Sequence, residues 1–159
     1  MEQQIQRGQK CLEEMLQLMG FSGVQVTAKI LDGESPYWLI IDETKFTPEQ
    51  LEHLIGARGE NLDAIQYLVN TMVNMGLEPE QQQPLTVELA GYRVRRQSEL
   101  FALAEEVARQ VRATGREESI ADLSSAERRQ IHNYLKDSRD LETESRGQDP
   151  YRRLVVRLR

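Results

Sequence analysis

Residues 51–70 read LEHLIGARGENLDAIQYLVN, and two glycines in this otherwise helical stretch decide how the chain must run. Upstream, Thr47, Pro48 and Gln50 form a capping-box start with proline at the first helical position. They predict a helix of about two turns that breaks at Gly56-Ala57-Arg58-Gly59. Leu62, Ile65, Val69, Met72 and Val73 then mark a longer helix ending near Gly76. A Gly-x-x-Gly turn opens dihedrals closed to other residues and lets a ligand approach the main chain. The following helix offers backbone N–H groups at Glu60, Asn61 and Leu62 and the positive end of its dipole, both suited to phosphate oxygens, with Arg58 projecting from the turn as a cation. Two glycines at this spacing more often mark only a tight helix–helix turn, so the neighbours have to decide.

Working outward, Leu12, Met15, Leu16 and Met19 predict an amphipathic helix stopped by Gly20. Val24, Val26, Ala28 and Ile30 alternate as a strand, Asp32-Gly33 signals a turn, and Trp38-Leu39-Ile40-Ile41 reads as a partner strand, giving a hairpin. Beyond Gly76, the Glu, Gln and Pro of 78–84 predict a loop, and Leu85, Val87 and Leu89 a strand. A long helix follows from about Tyr92 to Thr114, with Leu100, Leu103, Ala104, Val107, Ala108 and Val111 on one stripe and Gly115 at its end. Ser124 and Glu127 make a second capping box. In the helix it opens, Ile131 and Leu135 share one face, and Arg128 and His132 another. The chain then runs extended through the loop Ser145–Pro150 to a last strand. There Leu154, Val156 and Leu158 face one side, and Arg153, Val155, Arg157 and Arg159 form a basic other side.

Charge is split along the chain. Residues 1–92 hold five Lys and Arg against fourteen Asp and Glu, whereas residues 93–159 hold fifteen against twelve. All but one of those fifteen cations are arginine, which suits bidentate phosphate contact and stacking on bases. The single Cys11 excludes an internal disulfide and, with only His53 and His132, leaves no ligand set for structural zinc. No apolar run is long enough to span a bilayer, and the N-terminus lacks a signal-peptide core. A cytoplasmic protein with no membrane insertion, metal or cofactor is the expectation.

Arg128-x-x-x-His132 places a guanidinium and an imidazole one helical turn apart, near Arg129 and Lys136, within reach of one phosphate or base. An enzyme reading would use His132 as a base oriented by Glu127. Glu127 is better explained as the capping residue, and no serine, cysteine or second carboxylate is placed as a partner. Tyr134 and Tyr151 could offer stacking faces, although a core-edge position is the better reading of each.

The order helix, strand, strand, short helix, glycine turn, long helix, strand is similar to the type II KH domain, whose GXXG loop clamps an RNA backbone. LEHLIGARGENLDAIQYLVN resembles the KH segment of the Jag family, also called SpoIIIJ-associated or KhpB proteins. SSAERRQIHNYLKD and ETESRGQDPYRRLVVRLR resemble the Arg-x-x-x-His single-stranded nucleic-acid-binding domain that follows it there. The resemblance implies an α+β protein with a type II KH module over 10–91 and, over 92–159, a connecting helix and a small α+β Arg-x-x-x-His module. It implies RNA contacts from Ile55, Gly56, Ala57, Arg58 and Gly59 in the first module. In the second it implies Arg128, Arg129 and His132, with Ser145, Gly147, Arg152 and Arg153. Tyr92, Arg93 and Arg96 match the family's start of the long helix. The implied function is single-stranded RNA binding without cleavage, as an RNA chaperone or post-transcriptional regulator, alongside a second small KH protein. Many members carry a further N-terminal domain that this sequence does not include. A protein-interaction adaptor with a degenerate KH fold is the rival; a nuclease is a more distant one.

Overall fold

The computed structural model describes residues 2–29 and 37–159, so Ile30 and the Asp32-Gly33 turn lie outside the described residues. The chain forms two compact units, Met1–Arg93 and Val94–Arg159. Each is a small α+β lobe with its own three-stranded sheet.

The first unit runs α1 (Glu2–Leu18), β1 (Val26–Lys29), β2 (Tyr37–Ile41), α2 (Pro48–Ile55), α3 (Glu60–Asn74) and β3 (Leu85–Leu89). The expected element order is present, and the capping box of α2 is complete: Gln50 N donates to Thr47 Oγ1, and Thr47 N to Gln50 Oε1. β1 pairs antiparallel with β2, and β2 pairs parallel with β3. Leu39, Ile41, Leu85, Val87 and Leu89 point from the sheet into one core with Leu12 and Leu16 of α1 and Leu62, Ile65, Val69 and Val73 of α3. Gly8 lets α1 come close, since a Cβ there would stand 2.5 Å from Leu85 Cδ1. Two positions of the apolar stripes lie outside this core: Met19 and Met72 are exposed, the first because it follows the end of α1 and the second because it falls at the margin of the buried arc of α3.

Both outer edges of this sheet are capped by helix side chains. Along α3, Asn74, Asn70 and Gln66 stand four residues apart, on one stripe. Asn74 bonds Gln83 N and O, Asn70 bonds Leu85 N and O, and Gln66 accepts from Val87 N. Arg93 completes the series by donating to Val87 O. At the opposite edge Gln9 and Glu13 of α1 bond Val26 O and N. Backbone groups that would otherwise invite a foreign strand are thereby paired.

α4 (Tyr92–Thr114) begins in the last residues of the first unit and continues into the second, followed by β4 (Glu118–Ile120), α5 (Ser125–Leu135), β5 (Leu141–Arg146) and β6 (Arg153–Leu158). The sheet order is β4-β6-β5, antiparallel throughout. Leu100, Ala104, Val107, Ala108 and Val111 of α4 pack with Ile131 and Leu135 of α5 and with Leu141, Leu154 and Val156 of the sheet.

Three expectations need correction here, and one strand was not anticipated. Leu103 is 39% exposed and outside the core, since a stripe that includes both 103 and 107 is wider than the face the sheet covers. β4 is a strand that its short Glu-Ser-Ile segment does not reveal by alternation. Ser145 belongs to β5 rather than to the following loop. The outer face of β6 is not uniformly basic: Val155 is buried and Arg157 pairs with Glu142, while Arg153 is exposed opposite Arg146 of β5, which pairs with Glu117 and Glu144. The antiparallel register sets glutamates of β5 beside the arginines, a pairing that one strand's sequence cannot display.

Candidate nucleic-acid interface

The glycine turn in the first unit is shaped from within. Gly56 has φ +74° and a Cβ there would stand 2.8 Å from the Asn61 amide; Gly59 has φ +81° and a Cβ there would stand 2.4 Å from Tyr92 Cε1. Asn61 in turn donates to His53 O at the end of α2, so both glycines answer packing needs as well as any ligand's. Arg58 is left-handed (φ 56°) and exposed. Of the three N–H groups expected to face phosphate, that of Glu60 donates to Ala57 O within the turn, which withdraws it. Ala57 is exposed, while Ile55 is half-buried against the core.

A cleft of about 500 Å³ runs along this turn, lined by Glu49, Glu52, His53, Gly56, Ala57, Glu60 and Asn61. Its own backbone N–H at the start of α2, then Thr47, hold the Glu49 carboxyl below the usual carboxylate range. The cleft therefore carries three glutamates. Asp63, at the same helix end, is bonded to Arg93 at 2.9 Å and its charge is largely offset.

In the second unit α5 is set by its capping box: Glu127 N donates to Ser124 Oγ, and Ser124 N donates to Glu127 Oε2 at 2.8 Å. Glu127 Oε1 accepts from Arg96 Nε at 2.7 Å. Both carboxylate oxygens are thus engaged away from His132, so Glu127 does not orient that ring. His132 instead shares a hydrogen bond through Nδ1 with Thr143 Oγ1 on β5, which leaves Nε2 for a ligand. A groove of about 340 Å³ opens between α5 and the β5–β6 edge, lined by Ser125, Arg128, Arg129, His132, Thr143, Ser145, Arg152 and Leu154.

The structure brings Arg128, Arg129, His132, Ser145 and Arg152 together on this groove. Arg128 departs from the expected exposed face: it is 4% exposed, because the loop before β6 folds over the first turn of α5 and covers it. Arg129, His132 and Arg152 are exposed. Gly147 (φ +88°) is in the loop, where a Cβ would meet only ordinary contacts with Tyr151 and Arg152. Arg153 is exposed and does not line the groove; it stands opposite Arg146 on β5. Thr143 lines the groove without having been anticipated, since nothing local separates it from any other strand threonine. Tyr134 stacks on Phe101 with centroids 4.2 Å apart and donates to Glu105, which confirms its core-edge reading; Tyr151 is exposed. Arg93 and Arg96 hold Asp63, Gln66, Glu99 and Glu127. Among the described residues no group of three or more His, Cys, Asp and Glu is placed to hold a metal ion.

Residues 98–158 match the R-3-H domain family, the Arg-x-x-x-His domain. The chain is similar to the RNA-binding protein KhpB of Clostridium symbiosum, 37% identical over 106 residues that cover 67% of this chain and 47% of that protein. It is similar to KhpB of Bacillus subtilis, 30% identical over 141 residues that cover 84% of this chain and 66% of that protein. The chain belongs to the KhpB family. A further family member, KhpB of Lactiplantibacillus plantarum, is 35% identical over 106 residues, 32% of its own length. The chain thus spans about half the length of the first of these KhpB proteins and about a third of the last. The Arg-x-x-x-His domain match contains every residue of the groove between α5 and the β5–β6 edge.

Proposed function

We propose that this KhpB-family chain is a cytoplasmic single-stranded RNA-binding protein that does not cleave its ligand, acting as an RNA chaperone or post-transcriptional regulator. The observation that carries the reading is the groove of Arg129, His132, Thr143, Ser145 and Arg152 within the Arg-x-x-x-His domain match. Two exposed guanidiniums supply phosphate contacts, and the hydroxyls and imidazole can bond base edges or sugar. A flexible, unpaired strand can lay successive phosphates and bases along such a surface, whereas a duplex keeps its base edges paired. The RNA-binding names of the relatives agree with it. Among the described residues no helix is long and apolar enough to cross a membrane.

The first unit is proposed as a type II KH module. Its αββααβ order and parallel β2–β3 pairing support this. Its GXXG clamp would be Gly56, Ala57, Arg58 and Gly59, with Ile55 beside it. The three glutamates of the cleft make it the weaker RNA contact of the two. The deciding experiment is fluorescence anisotropy with labelled single-stranded and duplex RNA at several salt concentrations. Salt-sensitive preference for the single strand is expected; equal duplex binding, or none, defeats the reading.

The adaptor reading is favoured for the first unit by one observation. Tyr67, Leu68 and Met72 on α3 and Met75 at its C-terminal end are exposed apolar side chains. The family resemblance supplies the partner class, a second small KH protein. Co-elution with such a protein that Met72→Glu abolishes would support it, with RNA binding by the second unit retained.

A further inference from the structure

The two signature side chains of the groove live in unlike surroundings. Arg128 Nη1 donates to Leu123 O at 2.7 Å and to Arg152 O at 3.4 Å. Its Nη2 donates to Ser125 Oγ at 2.8 Å and to Asp149 Oδ1 at 3.2 Å. Leu123 and Ser125 flank the N-cap of α5, Asp149 lies in the β5–β6 loop, and Arg152 is the residue before β6. Each terminal nitrogen therefore has two acceptors, which matches its two hydrogens. A phosphate could take either terminal nitrogen only by breaking that network and moving the loop that covers it. Arg129 and His132, on the same helix, and Arg152, at the loop's end, are exposed on the groove.

We infer that Arg128 is a positioning residue. Its buried guanidinium ties residues 149–152 to the start of α5 so that Arg152 stands across the groove from Arg129 and His132, and it makes no phosphate contact of its own. The inference rests on the RNA-binding reading above for its functional consequence, while the tethering itself concerns the protein alone. The role calls for arginine rather than any cation: a planar fork reaches acceptors on three stretches of chain, whereas a lysine ammonium is a single point of charge. Asp149 also gains a part. It lies beside a groove meant for a polyanion, where its charge alone would weaken binding, yet it holds one end of the tether.

These roles make the signs of the tests differ. For Arg128→Lys, RNA affinity measured by anisotropy is expected to fall about as far as for Arg128→Met, tenfold or more, although the charge is kept. Asp149→Asn is expected to weaken binding two- to fivefold, where removal of a negative charge would otherwise strengthen it. Arg152→Ala should weaken the wild type but add less than twofold in the Arg128→Met background, because its placement is already lost. Thermal melts confirm that each variant is folded; should Arg128→Met not fold, Arg128→Lys and Asp149→Asn carry the test. Wild-type affinity in Arg128→Lys, tighter binding by Asp149→Asn, or multiplying losses in the double variant would overturn the inference. Hydrogen exchange separates it from the RNA reading. The Tyr151 amide, which donates to Gln148 O, should exchange faster in Arg128→Lys and not in Arg129→Ala, with no RNA present. Unchanged exchange overturns the tether whatever the RNA result, and faster exchange in a protein whose wild type binds no RNA overturns only the function built on it.

Discussion

At Gly59 two constraints coincide: a left-handed backbone and a Tyr92 ring where a side chain would begin. Gly59→Ala should therefore destabilise the first unit by about 1–3 kcal/mol, through dihedral strain and overpacking together, read as a lower urea midpoint. Ala57→Asp, at an exposed position of the same turn, should change stability by no more than about 0.5 kcal/mol. An equal effect of the two changes would mean that the turn is not held by the tyrosine. Glu88 offers a pH test. Burial pushes its carboxyl up, against hydrogen bonds from the backbone N–H groups of Leu89 and Arg93 and the nearby Arg93 charge. A carboxyl raised in the folded state keeps its proton there longer than in the unfolded chain. Its favourable contribution is complete below the unfolded value and declines as pH rises through the folded one. Glu88→Gln should therefore gain stability relative to the wild type between pH 4 and pH 7, as measured by urea melts at both. A gap that moves the other way would show that the backbone hydrogen bonds outweigh burial.

Among elements, α3 carries two jobs on two stripes: Leu62, Ile65, Val69 and Val73 fill the core, and Gln66, Asn70 and Asn74 cap the edge of β3. Asn70→Ala leaves Leu85 N and O without their partner on that side, a cost of about 1–3 kcal/mol for each group that finds no water. It also opens the strand edge to pairing with another chain. The expected outcome is a lowered melting temperature with concentration-dependent aggregation in light scattering; a variant as stable and monodisperse as the wild type would mean that water caps this edge equally well. The α5 capping box is a comparable device. Ser124→Ala should cost about 0.5–2 kcal/mol, visible as faster amide exchange in the first turn of α5, and unchanged exchange there would reassign the helix start.

For the whole molecule the charge split sets the expectation. The 1–92 segment is strongly acidic, and the groove residues all lie beyond residue 93. RNA affinity should fall with rising salt at about 0.7 counterions per phosphate contacted. Arg129→Ala should lower that slope by about one such contact, and Ala57→Asp with Arg58→Asp should change affinity less than Arg129→Ala with Arg152→Ala does. Anisotropy across a salt series measures both. A glycine-turn variant that loses more affinity than the groove variant would show that clamp geometry outweighs net charge.

Local signals in the chain specified the helices, all the strands but β4, and the family. Capping boxes, glycine stops and apolar periodicity are local signals, so α2, α3, α4 and α5 could be read from Thr47, Gly56, Tyr92 and Ser124 outward, and the two motif stretches carried the KhpB resemblance. Tertiary structure decided what the signature residues do. Arg128 and His132 stand four apart and read alike along the helix, yet one is sealed under the β5–β6 loop and the other bonds Thr143. The outward residues of β6 read as a uniformly basic face until β5 set Glu142 beside Arg157 and packing buried Val155. Burial and charge pairing depend on neighbours remote in the chain, brought close only by packing, and no spacing within one segment encodes them.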